Sequence, residues 1–117
     1  MVDRRYLGEP GNIVLDEKSD TNAFKKWASV GNEKNTPILL QLNHPGKQMY
    51  KSIKGQPIAP SAIPIQGSNA KAFQTPREMT KSEIEEAINK FVEAGVKAQK
   101  AGFSGVQLHA AHGYLIC

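Results

Sequence analysis

The sequence has 117 residues, 39% of them hydrophobic and 22% charged, which suits one globular domain and excludes a disordered chain. Its formal charge of +4 comes from 15 basic and 11 acidic residues that are spread out, with no arginine-rich helix or aromatic-studded basic stripe, so nucleic acid is not expected as a partner. No apolar run approaches the roughly 20 residues of a membrane span, and Met1–Pro10 lacks the apolar stretch of a secretory signal. The single cysteine, Cys117, permits no internal disulfide, and a cytoplasmic, reducing location is expected.

Residues 1–19 have no sustained period, and Gly8, Pro10, Gly11 and Asn12 make a turn-rich opening. A short helix is predicted over residues 21–30. Ser19 or Asp20 caps it, Ala23, Phe24, Trp27 and Val30 form its apolar stripe, and Gly31 or Asn32 ends it in the left-handed conformation. Pro37–Leu42 then reads as a short buried strand that stops abruptly at the polar run Asn43-His44-Pro45-Gly46-Lys47.

Residues 43–79 form a long irregular connection, because five prolines and three glycines rule out a long helix there. An extended or hairpin-like piece is expected within Ile58–Ile65. Connections this long are usually functional or disordered. Thr80-Lys81-Ser82-Glu83 has the spacing of a capping box. Behind it, Ile84, Ala87, Ile88, Phe91, Val92, Gly95 and Ala98 recur at helical spacing, and Glu86 and Lys90 form an i,i+4 pair. Gly95 costs this helix about 1 kcal/mol relative to alanine unless close packing repays it. Gly102 is placed as a C-cap, and Gly105–Ala110 reads as a second strand.

The order helix, strand, loop, helix, strand argues for an α/β fold with a parallel sheet. Two strands do not cover these helices, so the pattern expects further strands on both sides. His44, His109 and His112 each fall at or just past the C-terminal end of a predicted strand, and in a parallel fold those ends share one face. Gln41, Asn43 and Tyr114 can converge there with them. Imidazoles suit a developing oxyanion, and a phenol suits proton delivery. Capping of strand ends by the histidines is the competing structural reading. A zinc-like set of His109, His112, His44 and Cys117 is a second alternative, although its spacing matches no standard motif. Ser104 precedes its strand and Cys117 has no sequence context of a nucleophile, so no hydrolytic triad is expected. No G-x-G-x-x-G or P-loop is present.

Two segments carry a family resemblance. Ile38-Leu39-Leu40-Gln41-Leu42-Asn43-His44-Pro45-Gly46-Lys47-Gln48 resembles the Q-L-x-H-x-G-R stretch of the old yellow enzyme family, the NADH:flavin oxidoreductases. The stretch from Ala101 to Leu115, with Gln107-Leu108-His109-Ala110-Ala111-His112-Gly113-Tyr114 at its centre, resembles the catalytic stretch of that family. Ala59-Pro60-Ser61 and Pro76-Arg77-Glu78-Met79-Thr80 agree with it in order and spacing.

The resemblance implies a (β/α)8 TIM barrel holding FMN at its C-terminal mouth, of which this chain covers roughly strands 3 and 4 with their helices, residues 43–79 being a loop over the mouth. It implies that Gln41 and His109 contact the flavin and that His109 and His112 hold a substrate oxygen. Tyr114 would donate a proton to the substrate α-carbon. Many members have asparagine where His112 stands, and Lys47 replaces the usual arginine. NADH or NADPH is the implied reductant and an enone-like small molecule the implied acceptor; no metal is implied. A barrel takes about 250 residues, so residues 1–117 are expected to be an incomplete, central piece of that domain. Two alternative readings are a catalytically inactive fragment acting through protein association and a histidine-based metal-binding protein.

Overall fold

In the computed structural model, which describes residues 1–33 and 35–117, helix α1 spans Thr21–Asn32. Asp20 caps it by accepting from Asn22 N at 2.9 Å. The helix runs two residues past the predicted end and closes at Glu33 in ordinary right-handed geometry, so neither Gly31 nor Asn32 is a left-handed stop. Gly31 has a different task. A Cβ there would meet Ile38 Cβ at 2.8 Å, so only glycine lets the chain return this closely into the first strand.

The described residues contain strands β1 (Leu39–Leu42), β2 (Ile58–Ala59), β3 (Arg77–Glu78) and β4 (Gly105–Leu108), with helix α2 (Lys81–Ala101) between the last two. β1 and β4 pair in parallel, with Leu39 opposite Gly105 and Leu42 opposite Leu108. β2 and β3 form a separate parallel pair inside the long connection. The extended piece expected within Ile58–Ile65 is therefore two residues long and not a hairpin. Tyr50 and Phe73 bridge the same connection and stack with ring centroids 4.6 Å apart.

α2 begins with the expected capping box: Thr80 Oγ1 accepts from Glu83 N at 3.2 Å while Glu83 Oε2 accepts from Thr80 N at 2.9 Å. It ends at Gly102 with φ +95°. The Glu86–Lys90 pair does not form. Glu86 binds Arg5 at 2.7 Å and Lys90 binds Glu17 at 2.8 Å, because the N-terminal segment lies along this helix and offers partners from outside it.

The helices pack on one face of the β1–β4 sheet. Leu40 and Leu42 point into that layer and join Phe24, Ala28, Ala94 and Ala98 in the core. Small residues at Ala28, Ala94 and Ala98 let the two helices approach closely. The predicted stripes are thus only partly buried. Phe24 is covered while Trp27 and Val30 are exposed, and on α2 Ile84, Ile88 and Val92 are exposed. Leu39 and Gln41 alternate to the opposite face, which no described element covers, so β1 is not buried on both sides as predicted. The radius of gyration, 15.2 Å, exceeds the roughly 13 Å of a closed domain of this length. The arrangement is an open α/β layer. Among the described residues no helix is long and apolar enough to cross a membrane.

Candidate functional site

β1 and β4 run in the same direction, so their C-terminal ends lie side by side. The ladder extends one step beyond the strands, with His109 N donating to Leu42 O at 2.9 Å. Gln41 and Gln107 face each other in register on the open face of the sheet, and Gln41 Nε2 donates to Gln107 Oε1 at 2.7 Å.

Past β4 the chain turns back at once. His112 and Gly113 have φ of +59° and +74°, and Tyr114 N donates to Ala111 O at 3.2 Å. This turn brings both flanking rings against His109. The His112 ring lies 5.2 Å from it and the Tyr114 ring 4.8 Å, each nearly perpendicular. His109 and Tyr114 are half-buried and His112 is exposed. A left-handed backbone at a residue other than glycine is most easily taken by asparagine, aspartate or histidine. The geometry at position 112 thus suits the histidine that stands there.

The connection after β1 holds this turn in place. Gln48 Nε2 donates to His112 O, and Leu115 N donates to His44 O at 3.1 Å. Gly46, at φ +57°, sits so close that a Cβ would lie 3.0 Å from Leu115 N. A hollow of about 270 Å³ lies beside this contact, with Lys47, Ser61, Tyr114 and Cys117 among its lining residues.

His44 does not join the other histidines. It is 2% exposed, its Nδ1 accepts from Gly46 N at 3.1 Å, and its ring packs 4.8 Å from that of Tyr6. Burial lowers its pKa to about 4, so it is neutral at physiological pH and serves the turn. The four-ligand set of His44, His109, His112 and Cys117 is therefore not assembled, and no three His, Cys, Asp or Glu side chains gather as metal ligands among the described residues. Asn43, the other residue expected to converge, keeps a buried Oδ1 without a hydrogen-bond partner among the described residues.

Gln107 is a candidate site residue that the sequence reading did not single out. The signal was present: both strands end in Gln-Leu before a polar residue, so parallel pairing in that register sets one glutamine opposite the other.

Helices on one face of a parallel strand pair, with amide, imidazole and phenol groups gathered at the C-terminal ends, define a portion of an α/β enzyme scaffold of the barrel class. The chain belongs to the NADH:flavin oxidoreductase / NADH oxidase family, the FMN-binding old yellow enzyme family, whose profile matches residues 3–117. It is 35% identical over 132 aligned positions to an NADH-dependent flavin oxidoreductase of Hypocrea jecorina, covering 98% of this chain and 33% of that protein. It is 41% identical over 115 positions to the NADPH dehydrogenase of a Geobacillus species, covering 98% of this chain and 30% of the relative. The structure of an old yellow enzyme homologue from Zymomonas mobilis superposes with a TM-score of 0.86 at 29% identity, over 97% of this chain and 34% of that one. The chain thus spans about a third of the length of these relatives.

Proposed function

We propose that this chain supplies the flavin-pyrimidine contact and the substrate-activating groups of an FMN-dependent oxidoreductase of the ene-reductase type. NADH or NADPH is the reductant and an activated, enone-like alkene the acceptor. In this reading β1 and β4 are the third and fourth strands of a (β/α)8 barrel, and residues 43–79 lie over its mouth.

The observation that carries the reading is the packing of His109 against both His112 and Tyr114 directly beyond β4. It sets two imidazoles and one phenol within reach of a single small molecule. The donor set fits a flavin. Gln41 Oε1 and Gln107 Nε2 have no hydrogen-bond partner among the described residues, and they present an acceptor and a donor side by side. An imide edge of alternating N–H and C=O groups is the complement of that pair.

When bound, FMN supplies the hydride chemistry that no side chain here provides. The chain's own groups do the rest. His109 and His112 donate ring N–H groups to the substrate oxygen, where negative charge grows as the β-carbon is reduced. Tyr114 gives its phenolic proton to the α-carbon. The turn held by Gln48 keeps these groups together.

Anaerobic stopped-flow on the FMN-bound protein tests the reading. NADPH or NADH should bleach the flavin absorbance, and 2-cyclohexenone should restore it. Tyr114→Phe should slow the second step by about 10²–10⁴-fold and leave the first unchanged. Equal loss in both steps, or no dependence on Tyr114, removes the proton-donor role.

A specific observation favours a second reading, in which the chain acts through protein association. Ile84, Ile88, Val92, Leu108 and Ile116 border an apolar hollow of about 440 Å³ on the outer side of α2 and β4, and all five are exposed. Patches of this kind mark protein contacts. Sedimentation velocity across a concentration series separates the two, since association through this face is abolished by Ile88→Asp while flavin binding is not.

A further inference from the structure

We infer that Gln107 is a positioning residue that fixes the side-chain amide of Gln41. The inference rests on the reading of Gln41 as a flavin contact and adds to it a second residue that the strand register supplies.

The two glutamines occupy facing positions of parallel neighbours, so their Cα atoms are held by the ladder and their side chains leave the sheet on the same face. Gln41 is otherwise exposed, and a glutamine carries three rotatable bonds and an amide that fits either way round. Among the described residues the one hydrogen bond that restrains its side chain is the 2.7 Å bond from Gln41 Nε2 to Gln107 Oε1. That bond turns Gln41 Oε1 outward as an acceptor and leaves Gln107 Nε2 beside it as a donor. Of the flanking positions on this face, Leu39 and Gly105 offer no polar side chain, and Asn43 and His109 make no hydrogen bond to Gln41 among the described residues. Without Gln107, a ligand that needs the Gln41 amide must first select it from several rotamers. With Gln107, that choice is narrowed before binding.

Two substitutions separate the positioning role from bulk and polarity. Gln107→Leu keeps the size and removes the acceptor. Gln107→Glu keeps an acceptor for Gln41 Nε2 and removes the second donor. The first readout needs no flavin: the side-chain amide signals of Gln41 in a ¹⁵N-labelled sample, followed by relaxation. In the unsubstituted protein they should report a restrained amide. Gln107→Leu should release it, and Gln107→Glu should restore it. The second readout is FMN affinity from flavin fluorescence. Gln107→Leu should weaken it about fivefold to tenfold, the effect of one lost hydrogen bond of ordinary strength, and Gln107→Glu should keep most of the affinity; an equal loss in both would mean that Gln107 acts as a direct donor and not through Gln41.

If Gln41 is equally mobile in the unsubstituted protein and in Gln107→Leu, the positioning role is wrong. If Gln41 is released in Gln107→Leu while FMN affinity is unchanged, positioning stands and the assignment of Gln41 to the flavin fails. The two ideas therefore fail in different measurements.

Discussion

The side-chain amide of Gln48 donates to the backbone carbonyl of His112 across a separation of 64 residues. This bond joins the loop after β1 to the turn after β4 at the residue with a left-handed backbone. Gln48→Ala is expected to loosen residues 112–115, which hydrogen exchange will read as faster exchange at Tyr114 and Leu115. His112→Asn should leave that turn intact, since asparagine accepts positive φ. His112→Val should destabilise the protein by about 1–3 kcal/mol, measured by urea unfolding. Equal effects of Asn and Val would show that the backbone at 112 is not what the position requires.

His44 predicts a pH dependence of stability. Burial depresses its folded pKa to about 4, against an ordinary histidine value of 6.5 in the unfolded chain. The unfolded state therefore takes up a proton first as pH falls. Stability is fully present above about pH 6.5 and declines toward pH 4, by on the order of 3 kcal/mol over that window. The carboxyls of Asp3 and Asp16 are held below the ordinary aspartate range, Asp16 chiefly by hydrogen bonds from Arg4. For Asp3, hydrogen bonds and charge from Arg5 outweigh an opposing burial penalty. Their contribution is lost only at more acidic pH. Urea unfolding at pH 7 and pH 4.5 should show the loss, and His44→Gln should flatten it.

Two glycines on helices should respond in opposite directions. Gly31→Ala drives a methyl group to within 2.8 Å of Ile38 Cβ and is expected to cost about 1–3 kcal/mol. Gly95 has no heavy atom within 4 Å of the position a Cβ would take, so no close packing offsets its poor helix propensity. Gly95→Ala is expected to stabilise by about 1 kcal/mol. Thermal or urea unfolding of the two variants decides both, and a loss at Gly95→Ala would mean that this surface is covered in solution.

The legible parts of the fold are those set by local chemistry. The Thr80–Glu83 capping box and the Gly102 stop lie within one turn of the residues that cause them, and both are formed. His109, His112 and Tyr114 follow the end of β4 and Gln41 lies in β1, and the parallel pairing of the two strands brings these candidate residues to one end of the sheet, as their order in the sequence suggests. What was not legible depends on partners distant in sequence. Glu86 and Lys90 are spaced to pair with each other, yet Arg5 and Glu17 reach them first. His44 stands in the same run of polar residues as Asn43, and its sequence neighbours do not reveal that Tyr6 covers it. The apolar spacing of Ile84, Ile88 and Val92 identified a helix correctly, but spacing does not say what covers a stripe.

In the proposed function, Gln41, His109, His112 and Tyr114 form one face of a flavin site. The most direct test is titration of the ¹⁵N-labelled chain with FMN, followed residue by residue by heteronuclear NMR, which detects weak as well as tight binding. The account predicts saturable shifts at the side chains of Gln41 and Gln107 and at the backbone of residues 109–114. Shifts confined to the outer face of α2, or none up to millimolar FMN, would contradict it.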